Sequence, residues 1–294
     1  MRKMKKLGAI LLTGALMFSA TACGGSTANT SVEQEKKLSA QERVVESQKK
    51  MQDVKSVEVL MSMDMGMKAS QGSESQEFTM KMTGVTSMIQ DPMKAKVEMT
   101  MDMGELGTQT TQSYMEEKDG KYIMYSGIEG TWTSYEIPAD LASQYSAEES
   151  VDVYLKGFEN AKEVGTEEID GKQTTKIEGE LSGKAMEEMI QSTGILDSLG
   201  TLSTSDQDTL KKLFSEMGGL KLTLWLTDDN EVVKIEEDMT DMINQMIKKI
   251  LAEGSEGLEM EITNAVMTAS YDKINAVEDF EIPEEAKNAT PIES

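Results

Sequence analysis

The chain has 294 residues, with 29 basic and 53 acidic side chains and a net charge of −24 at pH 7. A charge of this sign repels phosphate backbones, so the composition argues against nucleic acid as a partner. Histidine is absent and cysteine occurs once, which leaves few of the usual general bases, metal ligands and nucleophiles. The composition therefore predicts a protein that is not an enzyme, with no catalytic residues, no metal site and no cofactor.

The first 22 residues have the pattern of a signal peptide. Basic residues at positions 2, 3, 5 and 6 precede an apolar stretch, 7–18, and small residues at 19–22 lead to Cys23. The apolar stretch is shorter than the ~20 residues that a membrane span needs. The segment resembles a lipoprotein signal, in which the cysteine after the cleavage site carries lipid. The alternative is an ordinary secretory signal in front of an incidental cysteine.

The lipoprotein interpretation predicts the domain organisation and the location. Residues 1–22 are the signal peptide, Cys23 is the lipid attachment site, and 23–37 form a flexible tether rich in small polar residues. Residues 38–294 form a single domain. Two acyl chains on Cys23 would supply stable anchoring, so the chain is expected on the outer face of the cytoplasmic membrane, with the membrane as a partner through its N-terminal lipid.

The domain begins with a predicted helix, after which the apolar period changes to that of strands. Ser39 and Glu42 form a capping box, and the helix is expected to stop near Asp53. Apolar residues then alternate with polar ones. Strands are predicted at 57–68, 78–82, 95–103, 108–116, 121–126 and 131–137. The first half is therefore an antiparallel meander.

The second half mixes helices with further hairpins. A second capping box, Ser146 with Glu149, starts a helix whose apolar face includes Tyr154 and Phe158. Asp170-Gly171 is a hairpin signal between two strands. The remaining predicted elements are strands at 162–169, 173–181, 220–226, 233–235 and 258–273, a helical stretch at 184–217, and an amphipathic helix at 239–251. The order of elements indicates an α+β fold.

The chain resembles the LolA and LppX/LprG lipoprotein families, and specifically uncharacterised lipoproteins of Gram-positive bacteria. The resemblance is carried by Val57-Glu58-Val59, Gly130-Thr131-Trp132, Leu224-Trp225-Leu226-Thr227, and the ending from Tyr271-Asp272-Lys273 to Ile282-Pro283. It implies a large curved antiparallel sheet of about 10–11 strands, a half-barrel wrapped around helices. It also implies a cavity for acyl chains or lipidated cargo, although a fold alone does not establish a function.

Methionine occurs 25 times and is densest on the first three predicted strands. Alternation predicts that one face holds Met61, Met63, Met65, Phe78, Met80, Met82, Val97, Met99 and Met101. These side chains are either ordinary core or a deformable wall for an apolar ligand, because methionine adapts to varied shapes. A third alternative is soft-metal binding, since thioethers accept Cu(I). The helix at 239–251 either packs on the sheet or acts as a lid beside the membrane.

The leading hypothesis is a membrane-anchored lipoprotein that binds or carries an apolar ligand, a lipid or lipidated cargo, in a methionine-rich cavity. The alternative is a non-enzymatic structural or interaction module of the cell envelope, with an envelope protein as partner and a closed core. An enclosed apolar cavity of several hundred cubic ångströms would distinguish the two, because ligand pockets fall in the range of roughly 300–1,000 Å³.

Overall fold

The computed structural model describes residues 38–71, 74–139, 142, 145–186, 219–252 and 258–292, which belong to one compact unit, Leu38–Ser294. Cys23, the predicted signal and the predicted tether lie outside the described residues. The described helices are α1 (Ala40–Gln52), α2 (Ala147–Leu155), α3 (Thr240–Ala252) and α4 (Glu284–Lys287), with a 3-10 helix at Gly104–Leu106.

The strands form one sheet, which is large, open, curved and mostly antiparallel. They are β1 (Ser56–Gln71), β2 (Glu74–Gln90), β3 (Met93–Asp102), β4 (Thr108–Lys118), β5 (Lys121–Ile128), β6 (Thr131–Ile137), β7 (Phe158–Ile169), β8 (Lys172–Leu181), β9 (Leu220–Thr227), β10 (Val232–Asp238), β11 (Leu258–Asp272) and β12 (Thr290–Pro291). The spatial order is β12-β6-β5-β4-β3-β2-β1-β11-β10-β9-β8-β7. The predicted α+β half-barrel is confirmed.

Two meanders make up this sheet, and they meet where β1 pairs with β11. Strands β1 to β6 follow one another in space, as do β7 to β11, although long connections separate β8 from β9 and β10 from β11 in the chain. At the predicted turn Asp170-Gly171, both residues have positive φ, 50° and 77°, which is the backbone of a tight turn between strands. The β1–β11 pairing runs from Glu58 opposite Asp272 to Gln71 opposite Leu258, so the longest strands lie at the centre.

The two faces of the sheet are covered differently. On the inner face, side chains such as Val57, Leu224 and Ile235 form the main core with residues of α1 and α2. On the outer face, the C-terminal segment packs Ile282 and Ala286 against strands β4 and β5 in a second, smaller cluster. The helices therefore cover part of the inner face, while the end of the chain packs on the outer one.

Helix α1 is attached to the sheet by polar contacts as well as by its apolar side. The predicted capping box is present, since Ser39 accepts from the backbone N–H of Glu42 and the Glu42 carboxylate accepts from the backbone N–H of Ser39. The buried Arg43 donates from Nε to Asn230 Oδ1 (2.7 Å) and from Nη2 to the Thr227 carbonyl (2.7 Å). These bonds join α1 to the β9–β10 turn.

Several predictions differ from the structure in detail. The sheet has twelve strands because a short parallel strand, β12, joins β6. Phe158, predicted on the second helix, begins β7, although it is buried as its apolar character requires. Leu181 ends β8 as predicted, and helical residues follow at 183–186, but most of the predicted helical stretch 184–217 lies outside the described residues.

Candidate ligand-binding face

The strand register brings the predicted methionines onto one face. Directly opposed residues of antiparallel strands share a face. The opposed sets are Met61–Gly84–Met99, Met63–Met82–Met101, Met65–Met80, Met67–Phe78 and Val59–Thr86–Val97. This places all nine predicted site residues on the inner face, together with Met67. Strand β11 adds Met267, which lies opposite Met63. We call these eleven side chains the methionine face: the nine predicted residues, Met67 and Met267.

The methionine face is less covered than the rest of the inner face. Val57 is fully buried and Met88 is 3% exposed, whereas Phe78, farther along the same hairpin, is 44% exposed. The other ten side chains of the methionine face are half-buried. Only Met61 packs directly against the main core. The face is thus an apolar surface continuous with the core.

The shape of this surface depends on one small residue in the middle of β2. Gly84 lies between Met61 and Met99, and a Cβ placed on it would meet the carbonyl oxygen of Glu98 at 3.1 Å. The Met61 methyl carbon lies 3.9 Å from the same point. Because this position has no side chain, the Met61 side chain can reach towards it. Unbranched, polarizable side chains such as this one repack at low cost.

A buried carboxylate lies beside the methionine face. Glu237 on β10 is opposite Met267, so it shares the inner face, and it is 5% exposed. Burial raises its pKa to about 7, while a hydrogen bond from the Tyr154 hydroxyl opposes that rise. The pKa of Tyr154 is raised well above its ordinary value, first by burial and then by the charge of Glu237. The pair thus places a titratable polar group in an apolar face.

Sequence reasoning missed Glu237, although a signal for it exists. Val233, Ile235 and Glu237 alternate along β10, so the period that buries the two apolar residues also turns the carboxylate inward. Tyr154 was expected only as part of an apolar helix face. Met267 could have been found in the same way, because it alternates with Ala265 and Ala269 on β11.

Helix α3 is fixed along the part of β11 that β10 does not reach. Pairing between β10 and β11 ends at Asp238 opposite Val266. Beyond it, Asn244 accepts from the Ile262 N–H and donates to the Ile262 carbonyl, both at 2.8 Å. The Thr240 hydroxyl accepts from the N–H of Ala265 at 2.9 Å. The helix therefore caps a strand edge that would otherwise expose its backbone.

The apolar side of α3 also contacts the core, through Met239 just before the helix and Met242 and Met246 within it. This agrees with the expectation that the helix packs on the sheet. Of its other apolar residues, Ile243 and Ile247 are half-buried, and Lys248 is exposed. Away from the core, α3 thus carries both apolar and charged side chains.

Two of the cavities that described residues line belong to the outer face. One of about 430 Å³ is lined by Leu60, Met61, Ser62, Thr83, Gly84, Val85, Glu98, Thr100, Thr268 and Ser270. Most of these point away from the helices, as the alternation along each strand requires. The other, of about 420 Å³, lies near the β5–β6 turn and α4. Neither is the predicted cavity on the inner face.

Within the described ranges, no group of three or more His, Cys, Asp or Glu side chains is arranged to hold a metal ion. None of the helices described above is long and apolar enough to cross a membrane. Every buried side-chain nitrogen or oxygen in the described part has a hydrogen-bond partner.

A family model described as a family of unknown function (DUF6612) matches residues 39–291. The chain belongs to this family. The match covers the whole sheet, from the capping box of α1 to β12. The predicted membership of an uncharacterised family is therefore confirmed. No curated protein matches the chain.

The chain is also similar to several solved structures. The lipoprotein LppX of Mycobacterium tuberculosis is 14% identical, over 82% of this chain and 98% of that one, with a TM-score of 0.44. LprF of Mycobacterium bovis is 14% identical, over 84% and 97%, also with a TM-score of 0.44. A LolA superfamily protein of Nitrosomonas europaea is 9% identical, over 83% and 96%, with a TM-score of 0.18. Likeness at this level identifies no ligand.

Proposed function

We propose that this protein is a non-enzymatic, membrane-anchored lipoprotein that binds or carries an apolar ligand, such as a lipid, against its methionine face. The proposal is supported chiefly by one observation. Along the same strands, the inner face changes from fully buried at Val57 and Met88 to half-exposed at Met63, Met82 and Met101. Soluble domains rarely leave contiguous apolar surface of this kind open unless something binds there.

The chemistry of the face suits a ligand with long hydrocarbon chains. Neighbouring thioethers lie on adjacent strands, about 4.5–5.5 Å apart at their Cβ atoms, so they can close around a chain without a rigid cavity. Methionine also tolerates ligands of varied shape.

Native mass spectrometry of the domain without its signal peptide, purified without detergent, tests the proposal. We expect a co-purifying mass in the range of a lipid, released by organic solvent. The matched control is a variant with Met63→Asp and Met101→Asp, which introduces charge on the face while leaving the core untouched. Loss of the mass in this variant supports the site. A wild-type protein that carries no apolar ligand and acquires none from mixed lipid vesicles would contradict it.

The membrane anchor is proposed from the sequence, through Cys23. A Cys23→Ser variant is expected to appear in the medium or to remain unprocessed, because the acceptor of the lipid is gone. Fractionation and the apparent size of the mature protein measure this. Unchanged membrane retention and size in the variant would contradict anchoring through this residue, without bearing on the methionine face.

A further inference from the structure

The cavity of about 420 Å³ on the outer face is built around a tryptophan. Its lining residues are Thr110, Gln112, Gly127, Glu129, Gly130, Trp132, Pro283 and Glu285. It lies where the β5–β6 turn, Glu129-Gly130, comes close to the start of α4. The cavity is on the opposite side of the sheet from the methionine face, so it is independent of the proposed function.

The Trp132 ring rests on the backbone of the paired strand β5. Trp132 lies opposite Gly127, and a Cβ on that glycine would come within 2.8–2.9 Å of three atoms of the indole. The ring therefore lies flat over the glycine backbone, which only a residue without a side chain permits. Tyr114 supports it at a centroid distance of 5.8 Å and a tilt of 41°. The indole and the Gly127 backbone beneath it both line the cavity, so the cavity borders the ring.

The only other tryptophan of the chain, Trp225, shows what such a ring does elsewhere on the same face. The ammonium groups of Lys234 and Lys176 lie 4.3 and 5.3 Å from its ring centroid. Its indole N–H donates to Glu167 at 2.8 Å, and Lys234 pairs with Glu236 at 3.0 Å. Here an indole and nearby carboxylates hold cations that the protein itself provides.

The Trp132 cavity likewise combines an indole ring with carboxylates. Glu129 and Glu285 line it with exposed carboxylates, and no lysine or arginine is among its described lining residues. The nearest basic residue along α4, Lys287, is paired with Glu284 at 3.5 Å. We propose that this cavity binds an organic ammonium group, either a quaternary ammonium or a protonated primary amine, between the Trp132 ring and the two carboxylates.

The physical basis is the attraction of a cation to the negative face of an aromatic ring. Trp is the strongest of the three aromatic side chains in this interaction. The Glu129 and Glu285 carboxylates add charge attraction, and the hydroxyl of Thr110 and the amide of Gln112 offer hydrogen bonds to the rest of the ligand. A neutral molecule of the same shape would gain only the apolar contact.

Calorimetric titration of the full domain with choline and with its neutral isostere, 3,3-dimethylbutan-1-ol, tests the inference. We expect choline to bind about tenfold more tightly, since ~1.4 kcal/mol corresponds to a factor of ten. N-acetyl-lysine methylamide as a third probe tells a quaternary headgroup from a primary amine. Equal affinity for choline and its isostere, or no binding of either ammonium probe, would overturn the proposal.

Variants locate the binding. Trp132→Leu should abolish choline binding and Trp132→Phe should weaken it, while emission from the remaining Trp225 reports whether the sheet is intact. Glu129→Gln with Glu285→Gln should weaken binding about tenfold. The control is Glu105→Gln with Glu117→Gln, which removes the same charge from exposed positions elsewhere. Equal weakening by both pairs would show a nonspecific charge effect and overturn the site.

Discussion

The inner face of the sheet has a packed end and an open end, and the same three strands contribute to both. At the packed end, Val57, Met88 and Ala95 lie in one row beneath the helices and are at most 3% exposed. At the open end, the methionine face continues the same alternation with half-exposed side chains. Alternation thus assigns a residue to a face, but what packs on that face decides whether the residue is core.

The first prediction compares methionines at the two ends. Met115, at the packed end, is 1% exposed, so Met115→Ala should lower the free energy of unfolding by ~2–5 kcal/mol, the usual range for emptying a core position. Met63→Ala removes the same atoms from a half-exposed site and should cost much less. Urea denaturation of the domain measures both. Similar losses in the two variants would contradict the distinction between the ends.

The second prediction concerns Glu237, where the two ends meet. Its pKa in the folded protein is about 7, whereas an unfolded glutamate titrates near ~4.3. Between these values Glu237 binds more protons in the folded state than in the unfolded state. Its contribution to the free energy of unfolding is therefore fully present below about pH 4 and is lost as the pH rises through 7.

Glu237→Gln should therefore remove about 3–4 kcal/mol of this pH dependence and leave the variant more stable than wild type at pH 8. Denaturation curves at pH 4, 6 and 8 measure it, and contributions from unaltered groups cancel in the difference between the two proteins. Parallel pH profiles for the two proteins would show that Glu237 is not the group responsible.

The third prediction tests how firmly the packed end is held. Arg43→Met keeps the apolar stem but removes the donor to Asn230 Oδ1 and one of two donors to the Thr227 carbonyl, which keeps the backbone N–H of Asn230. Losing hydrogen bonds from a charged donor should lower the free energy of unfolding by about 1.5–3 kcal/mol. Lys49→Met on the same helix is the control, because its pair with Glu46 is exposed. If both variants lose equal stability in urea, the Arg43 contacts do not hold α1 in place.

The smallest effect is expected from conservative changes at the open end. Met63→Leu with Met82→Leu preserves apolar volume, so the free energy of unfolding should change by less than ~1.5 kcal/mol. Branched side chains adapt less than thioethers, so the range of acyl-chain lengths that displace a bound fluorescent probe should narrow. An unchanged range would mean that methionine is not needed there for adaptability.

Much of this fold could be predicted from local patterns. Alternation located most strands of the described part, and Ser39 with Glu42 marked the start of α1. The nine predicted residues also fall on one face, because a period of two leaves no other placement once the strands pair in register. Phe158 was assigned to a helix because apolar spacing at i, i+3, i+4 and i+7 continued past the true end of α2.

The depth of burial could not be read from the same patterns. Nothing in the alternation of β1 says that helices cover Val57 and leave Met63 half-exposed, since that depends on where α1 and α2 lie in space. The inward carboxylate of Glu237 depends on Tyr154 from a distant helix, and the contacts of Arg43 reach residues more than 180 positions away. Long-range pairing of this kind has no local signature.

Binding of a hydrophobic fluorescent probe to the purified domain tests the central claim most directly. Met99 on the methionine face and Thr100 on the outer face are neighbours on β3, and both are half-buried. Met99→Asp and Thr100→Asp therefore add the same charge one residue apart on opposite faces. We predict that the wild type and Thr100→Asp bind the probe, and that Met99→Asp, still folded by circular dichroism, does not. Probe binding retained in Met99→Asp, or lost equally in both variants, would contradict a ligand site on the methionine face.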